Sequence, residues 1–574
     1  MALLTAFVVL AVLPWWNRYI GVTNDAWHYF YGWQILHGRI PYRDFYLFVP
    51  PLYALKNALL ITLFGNHLIV PHVVAVAEII VMTIVLLLWL RRVFPVREAT
   101  IGIITTIALY ILCFQAEPLG GLHQEAVFFP VLAGWAASTA LAKRRIRYYL
   151  LTGVFAGCAL MTKQNSGMAT VLCLGLLVPV LLRQSSGTRA AVAAASWYTA
   201  GVAIPVGSIC IWLASNGGLA AFISDVYIKG TASKGGLSET LMRPFVMIGQ
   251  DVRFLVYLVL AGVFLGRLFW IMRDPKRQRL SLTVFSVAAI VALILGVIVS
   301  RFVDVARIHG FYLNLPKDVL LFSGEIGCLI LFVQAIVPWR KFTDAQLVLL
   351  TGFSAGLAYI IACSWVDYTA AVLPSLAVFL TYAIYRLDGF TRTALMSICV
   401  LVIFQYSLIR MDVPFGWGGW VEPNVREAGR RFPQPELAGF IASPESVAFV
   451  NRVTRDIVSH SGPEDTVLVD PDIPIFYLLT SRRPATFAYV HWIDVAPDSI
   501  DQADAARILG NPPKVIVYLE ESEEQVHSGE VDFRHGRPGG VRTLMAAIHT
   551  LQPQYQVLDR FETLGGSEFI VMAR

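Results

Sequence analysis

The chain has 574 residues, 56% of them hydrophobic and 15% charged, with a formal net charge of +6 and a mean hydropathy of +0.63. Soluble domains carry about 25% charged residues, and a chain this apolar cannot keep its surface out of water by folding on itself. The composition therefore excludes a water-soluble enzyme and predicts a protein that crosses a membrane many times. Because basic residues in such a protein mark its cytoplasmic side, we predict no nucleic-acid partner.

The first predicted element is the apolar stretch at residues 2–16, which lacks the basic start and the small-residue cleavage site of a signal peptide. We interpret it as a retained first span. A bilayer crossing needs about 20 apolar residues. On that measure the sequence predicts thirteen spans, at residues 2–16, 67–90, 99–115, 122–141, 148–162, 166–182, 190–213, 246–271, 280–299, 318–338, 345–363, 368–385 and 393–409.

Basic clusters predict the orientation of these spans. They fall in alternate loops and would all be cytoplasmic if the N-terminus is inside. The clusters are Arg91 with Arg92, residues 143–147, Arg183 with Arg189, residues 273–279, Arg340 with Lys341, and Arg386 with Arg392. Residues 17–66 and everything after about residue 410 then lie outside. We interpret the segment 51–64 as a helix on the outer surface; a true span there would instead place the basic clusters outside.

The first outer loop, residues 17–66, contains cations on the side where short loops disfavour them. They are Arg18, Arg39, Arg43 and Lys56. An anionic ligand would explain them, since arginine binds phosphate oxygens bidentately; pairing with the loop's own carboxylates is the alternative. Asp25 and Asp44 each suit a general base that takes a proton from an attacking hydroxyl, although Asp25 could also simply cap a helix.

The amino-acid composition changes after residue 410. Residues 412–435 are rich in glycine, proline and charge and predict a linker. Short β-branched runs at 466–470, 514–520 and 568–574 follow, together with a helical pattern at 443–460, which predicts a small α/β domain. All seven cysteines lie in or beside apolar stretches, so we expect small core residues and no structural disulfides.

Several stretches resemble one family. TNDAWHYFYGWQILHGRIPYRDFYLFVPPLYALKNALLITLFGNHL resembles the first outer loop of the integral-membrane GT-C glycosyltransferases, in the bacterial branch related to protein O-mannosyltransferases and the lipid A aminoarabinose transferase. HQEAVFFPVLAGWAASTAL and YYLLTGVFAGCALMTKQNSG are similar to that family's fourth and fifth spans, and DIPIFYLLTSRRPATFAYVHW is similar to a stretch of its soluble tail. The resemblance implies a polytopic α-helical GT-C domain of about 13 transmembrane helices at residues 1–409 and an extracytoplasmic (periplasmic) α/β domain at 410–574.

The resemblance also implies roles for individual residues. Asp25 holds the position of the catalytic base, and Asp44 matches a second acidic position of the bacterial pattern. Where the aminoarabinose branch has a lysine before Pro-Pro, this chain has Val49, so phosphate binding passes to other cations. We expect the donor phosphate to contact Arg43, Lys163, Lys56 and Arg243, the last from a loop at 227–244 that could act as a lid. We expect the substrates to contact His28, His123, Glu125 and Tyr46. Asp367 stands where a histidine is common and is left out of the site.

The implied activity is that of a hexosyl- or pentosyltransferase. It would move a sugar, with inversion, from a polyprenyl-phosphate donor to a lipid, glycan or protein acceptor. The implied location is the outer face of the bacterial cytoplasmic (inner) membrane. No cofactor is expected to be required; Mg²⁺ or Mn²⁺ held by Asp25, Asp44 and Glu125 is the alternative. A lipid-linked glycan flippase or a surface polysaccharide polymerase or ligase are rival functions. A flippase is disfavoured because the polar residues gather at the outer ends of spans rather than near the bilayer midplane.

Overall fold

The structure of the protein is a computed structural model. It describes residues 1–22, 25–113, 119–230, 237–250, 252–273, 311–336, 344–363, 372–417, 420–493, 495–534, 536–562 and 567–574. The predicted span at 280–299 and the residue Asp367 lie outside these ranges.

Long apolar helices fill the first two thirds of the described chain. They are α1 (Ala2–Val12), α2 (Asp25–Leu36), α3 (Leu52–Phe64), α4 (Ile69–Leu90), α5 (Val96–Cys113), α6 (Leu122–Lys143), α7 (Ile146–Thr162), α8 (Gln164–Ser186), α9 (Thr188–Ser215), α10 (Leu219–Phe222) with a π-helical turn at Ile223–Lys229, α11 (Leu237–Gln250), α12 (Val252–Arg273), α13 (Phe311–Ile336), α14 (Ala345–Ala362), α15 (Val372–Arg386) and α16 (Gly389–Asp412).

Each predicted span within the described ranges corresponds to one of these helices. Seven helices among the described residues are long and apolar enough to cross a bilayer: Ile69–Leu90, Leu122–Lys143, Gln164–Ser186, Thr188–Ser215, Lys317–Ile336, Ala345–Ala362 and Gly389–Asp412. This confirms a polytopic α-helical membrane protein. The segment at 51–64 is helical, as predicted, in α3. The predicted loop at 227–244 is wrong where it is described, because its ends belong to the π-helical turn and to α11.

Small residues let helices α7 and α9 approach closely. A Cβ at Gly153 would lie 2.0 Å from the carbonyl oxygen of Tyr198, and one at Gly201 would lie 2.2 Å from that of Leu150. Close backbone contact of this kind holds helices together where lipid offers no hydrophobic driving force between them. Helices α7 and α9 therefore pack tightly as a pair, next to α6 and α8.

The C-terminal part is an α/β unit, as predicted. Its strands are β1 (Gly416–Trp417), β2 (Trp420–Val421), β3 (Arg430–Arg431), β4 (Ile441–Ala442), β5 (Thr466–Asp470), β6 (Arg483–Pro484), β7 (Val515–Glu520), β8 (Gln556–Glu562) and β9 (Glu568–Ala573). Its helices are α17 (Pro444–His460), α18 (Ile475–Thr480), α19 (Asp498–Gly510), α20 (Glu523–Arg534) and α21 (Val541–Leu551). The main sheet has the order β6-β5-β7-β9-β8, with β5 parallel to β6 and β7. Continuous apolar runs such as Val515–Leu519 are buried because elements cover both faces of the sheet.

The predicted linker at 412–435 is instead docked structure. Phe415 and Trp420 are buried, and two short antiparallel pairs, β1 with β2 and β3 with β4, organise the segment. The carbonyl of Val425 accepts from the Arg18 guanidinium at 3.1 Å, and the carbonyl of Asn424 accepts from the Tyr19 hydroxyl. Just beyond the segment, the N–H and carbonyl of Ile441 bond to Asn17 and Tyr19. Hydrogen bonds thereby hold the start of the first loop against the C-terminal unit. Composition predicted the turns, but burial of the aromatic rings determines where the segment lies.

Candidate functional site

Asp25 lies at the start of α2, where the chain turns from α1 into the first loop. Its Oδ2 accepts a hydrogen bond from the Gly21 N–H at 2.8 Å, and its Oδ1 lies 3.2 Å from Nε2 of His72 on α4. The Asp25 side chain is only 3% exposed. The carboxylate is therefore held in one orientation by a backbone donor and by an imidazole from another helix.

The hydrogen-bond partners of His72 determine its protonation. Its Nδ1 lies 2.9 Å from the carbonyl oxygen of Trp16, while its Nε2 faces Asp25. Both ring nitrogens thus face oxygen acceptors, and only the doubly protonated ring can donate to both. We therefore interpret the pair as imidazolium and carboxylate, which lowers the energetic penalty of burying either charge alone. Sequence reasoning missed His72; the histidine at the start of an apolar span was the available signal.

A narrow cleft opens next to Asp25. Its walls include His28, Tyr53, Asn57 and Gly120, and its volume is about 10 Å³, room for about one water molecule. The Nδ1 of His28 and the Oδ1 of Asn57 are buried without a hydrogen-bond partner among the described residues, and Tyr53 donates to the Gly120 carbonyl. Buried polar atoms normally have partners, so these two atoms indicate a place for a polar ligand or for water.

His28 is enclosed by aromatic rings. Its ring centroid lies 5.3 Å from that of Trp27, 5.0 Å from that of Tyr53 and 5.9 Å from that of Phe48. Burial, helped by the charges of His123 and Lys163, lowers the pKa of His28 to about 3. The ring is therefore neutral at physiological pH and can offer one donor and one acceptor.

A second polar cluster joins α3, α4 and α6. The Lys56 ammonium donates to Glu78 at 2.8 Å and also pairs with Glu125, and Gln124 donates to Glu78 at 3.1 Å and to the Ala75 carbonyl at 2.9 Å. Glu78 and Glu125 are both buried. Lys56 and Glu125, predicted from sequence as separate binding residues, thus meet in one cluster with two carboxylates and one ammonium.

Asp44 is held within its own loop. The Arg43 guanidinium forms a fork on it, with Nε 2.9 Å from Oδ1 and a terminal nitrogen 2.8 Å from Oδ2, and the Ile40 N–H donates to Oδ2 at 2.7 Å. The Arg43 hydrogen bonds hold the pKa of the Asp44 carboxyl below its usual range. Neither residue lines the cleft beside Asp25, so the structure brings Asp44 to Arg43 rather than to Asp25.

The remaining predicted residues contact different parts of the structure. Lys163 is the buried junction between α7 and α8 and, with His123, is an electrostatic neighbour of His28. Tyr46 bonds the C-terminal unit through its N–H, to Phe487 at 2.9 Å, and through its hydroxyl, to Val495 at 3.1 Å. Arg243 stacks over the Phe533 ring at 5.1 Å.

The C-terminal unit contributes a buried carboxyl near Asp25. Glu422 accepts from Trp420 Nε1 at 2.8 Å and from Ser446 Oγ at 2.6 Å. Burial, with a smaller effect of the Asp25 charge, raises the pKa of Glu422 to about 7. Sequence reasoning missed Glu422 because nothing in its local pattern connects it to the first loop.

Metal ligands are not gathered in the described structure. Asp25, Asp44 and Glu125 belong to three separate clusters. Within the ranges given above, no group of three or more histidine, cysteine, aspartate or glutamate side chains is arranged to hold a metal ion. The alternative metal site written from these three carboxylates therefore does not match the geometry.

Comparisons with known proteins bear on the first half of the chain. Residues 49–212 match the family described as "Dolichyl-phosphate-mannose-protein mannosyltransferase". Over this region the match confirms the predicted resemblance to the GT-C glycosyltransferases. A comparison with curated protein sequences finds no match.

Two solved structures of ArnT from Cupriavidus metallidurans are similar to this chain. The form bound to undecaprenyl phosphate has 13% identity and a TM-score of 0.40, and the similarity covers 99% of this chain and 98% of that one. The apo form has 12% identity and a TM-score of 0.37 with the same coverage.

Proposed function

We propose that this chain is a glycosyltransferase that moves a sugar from a polyprenyl-phosphate donor to a hydroxyl acceptor at the membrane surface. The match of residues 49–212 to a family of transferases that use dolichyl-phosphate mannose supports this class of reaction. The single observation that carries the proposal is the buried Asp25 carboxylate. It is oriented by His72 and Gly21 beside a cleft with unpartnered polar atoms.

The proposed reaction is one displacement. The acceptor oxygen bonds to the anomeric carbon while the bond from that carbon to the phosphate oxygen breaks, and the electron pair leaves with the phosphate. The acceptor's proton passes to the Asp25 carboxylate, which acts as general base. His72 holds this carboxylate in one orientation before the acceptor arrives. Attack opposite the leaving group inverts the anomeric centre.

Lys163 is our proposed contact for the departing phosphate. It is the residue that immediately precedes the 23-residue helix α8, and both a lysine ammonium and the N-terminal end of a helix favour an anion. Lys56 is already matched by Glu78 and Glu125. We therefore propose that it orients these carboxylates toward hydroxyl groups of a substrate rather than binding phosphate. We propose that the Arg43–Asp44 pair stabilises the conformation of the first loop and that Asp44 does not contact the substrates.

The proposed orientation follows from the two ends of the bundle. Asp25 and His72 lie at one end of α4, and the Arg91–Arg92 cluster lies at the other. We propose that the basic end faces the cytoplasm and that the cleft and the C-terminal unit face outward. A lipid-linked donor would then approach Asp25 from the outer leaflet, and the acceptor would approach it from the aqueous side.

The test compares surface glycans in a strain that lacks this chain. Mass spectrometry of that strain identifies the missing sugar and its acceptor, and expression of the wild-type chain restores them. Asp25→Asn should restore less than about 1% of the sugar, because a general base typically raises the rate by about 10²- to 10⁴-fold. Glu464→Gln, which removes the exposed carboxylate of an ion pair with Arg483, is the matched carboxylate-to-amide control and should restore it fully. Full restoration by Asp25→Asn would overturn the proposal and favour a flippase.

A further inference from the structure

A second cleft lies at the basic end of the bundle, far from Asp25. It has a volume of about 330 Å³ and is formed by the end of α4, the end of α6 and the start of α7. Its walls include Leu88, Arg92, Trp135, Lys143 and Tyr148. Along α4 the distance from His72 to Arg91 is about 28 Å at 1.5 Å per residue, so this cleft is separate from the candidate active site.

The cations around this basic cleft have only neutral partners in the described structure. Arg92 donates to Ser138 Oγ at 2.9 Å and to Thr139 Oγ1 at 2.7 Å. Lys143 and Arg147 both donate to the hydroxyl of Tyr148, at 3.4 and 3.3 Å, and both lie over its ring. Arg91 also lines the cleft, whereas Arg147 lies beside it over Tyr148; among the residues that the structure describes, no carboxylate pairs with any of these four cations. Like charges this close repel one another, and an anion between them would relieve that repulsion.

The remaining walls of the basic cleft suit a lipid. Leu88 and Trp135 are partly buried apolar side chains; Leu88 lies at the end of α4, and Trp135 lies about two turns before the end of α6, so they extend the cleft from the headgroup level toward the acyl chains. Tryptophan and tyrosine favour that boundary. A soluble phosphate would use the cations but not the apolar wall, whereas a phospholipid would use both.

We propose that the basic cleft binds an anionic phospholipid. Its phosphate diester would lie between Arg91, Arg92 and Lys143, with Arg147 next to them over the Tyr148 ring. Its glycerol and upper acyl chain would lie along Leu88 and Trp135. Arginine presents a planar fork to phosphate oxygens, and Arg92 is already oriented by its two hydroxyl partners. Basic clefts between membrane helices are a known type of lipid headgroup site. This inference does not depend on the proposed transferase reaction.

The experiment titrates lipid onto the purified full-length chain in detergent and measures bound lipid by native mass spectrometry. Phosphatidylglycerol should bind in preference to phosphatidylcholine of the same acyl chains. Lys143→Gln with Arg147→Gln, two exposed residues, should weaken the tightest phosphatidylglycerol site by about tenfold or more. Arg92→Gln should weaken it as well; if that variant does not fold, the exposed pair still provides the test.

The matched control is Arg183→Gln with Arg189→Gln, two exposed cations at the same end of the bundle but outside the basic cleft. This control should leave lipid binding unchanged. Equal phosphatidylglycerol binding by the Lys143/Arg147 variant, or equal loss in the control, would overturn the proposal. Displacement of the lipid by millimolar glycerol 3-phosphate would also overturn it, because the site would then recognise a soluble phosphate.

Discussion

Replacing Asp25 and His72 singly and together tests whether the two residues act as one unit. Asp25→Asn removes the proposed base, so turnover should fall by about 10²- to 10⁴-fold, or about 2.7 to 5.4 kcal/mol of activation free energy. His72→Gln leaves a neutral donor within reach of Asp25 and removes the charge. A charge-assisted hydrogen bond stabilises by about 1 to 1.5 kcal/mol more than a neutral one, so His72→Gln should lower turnover by about five- to tenfold.

The double variant carries the decisive prediction. If His72 acts only through its hydrogen bond to the Asp25 carboxylate, its replacement should have no further effect once that carboxylate is gone. The double variant should therefore match Asp25→Asn. The assay is the amount of sugar transferred per molecule of folded protein, with folding checked by thermal unfolding in detergent.

Two outcomes would refute this reasoning. Losses that multiply in the double variant would mean that His72 acts independently of Asp25. Retention of more than about a tenth of wild-type turnover by Asp25→Asn would mean that no general base of the expected strength acts there.

Other predictions concern stability. The His491 ring nitrogens lie 3.1 Å from Asp470 Oδ1 and 3.2 Å from Asp504 Oδ2. Burial lowers the pKa of His491, but these two carboxylates outweigh that effect and raise the pKa to about 10. The charged ring therefore stabilises the fold fully below about pH 6.5, and this stabilisation is lost at about 1.4 kcal/mol per pH unit as pH rises toward 10. Thermal unfolding of the wild type should follow that trend, whereas His491→Gln should flatten it; an unchanged profile would contradict the assignment. A Cβ at Gly32 would lie 2.7 Å from a backbone nitrogen of α3. Gly32→Ala should therefore lower the free energy of unfolding by about 1 to 3 kcal/mol. An unchanged melting temperature would mean that α2 and α3 can move apart without loss of stability. Lys56→Gln leaves two buried carboxylates without their ammonium and should be destabilising by about 3 to 5 kcal/mol, with Lys56→Arg as the control that keeps the charge.

Local pattern predicted most of the elements, but not the helical ends of the predicted loop at 227–244 or the short strands of the predicted linker at 412–435. Bilayer thickness sets the length of an apolar run, so the predicted spans coincide with helices throughout the described ranges. The β-branched runs at 466–470, 514–520 and 568–574 coincide with β5, β7 and β9. Both signals are confined to neighbouring residues. The assignment of Asp25, Lys163 and the other site residues to chemical roles stays a prediction.

The pairing of side chains was decided only by tertiary structure. His72 contacts Asp25, Lys56 contacts Glu78 and Glu125, and the predicted linker contacts the first loop, all between segments distant in sequence. Hydropathy reports how apolar a helix is, but not which helix it packs against or which polar side chains then face one another. The sequence by itself determined a membrane bundle with an α/β unit; the packing of that bundle decided which charges neutralise each other and which polar atoms are left for a ligand.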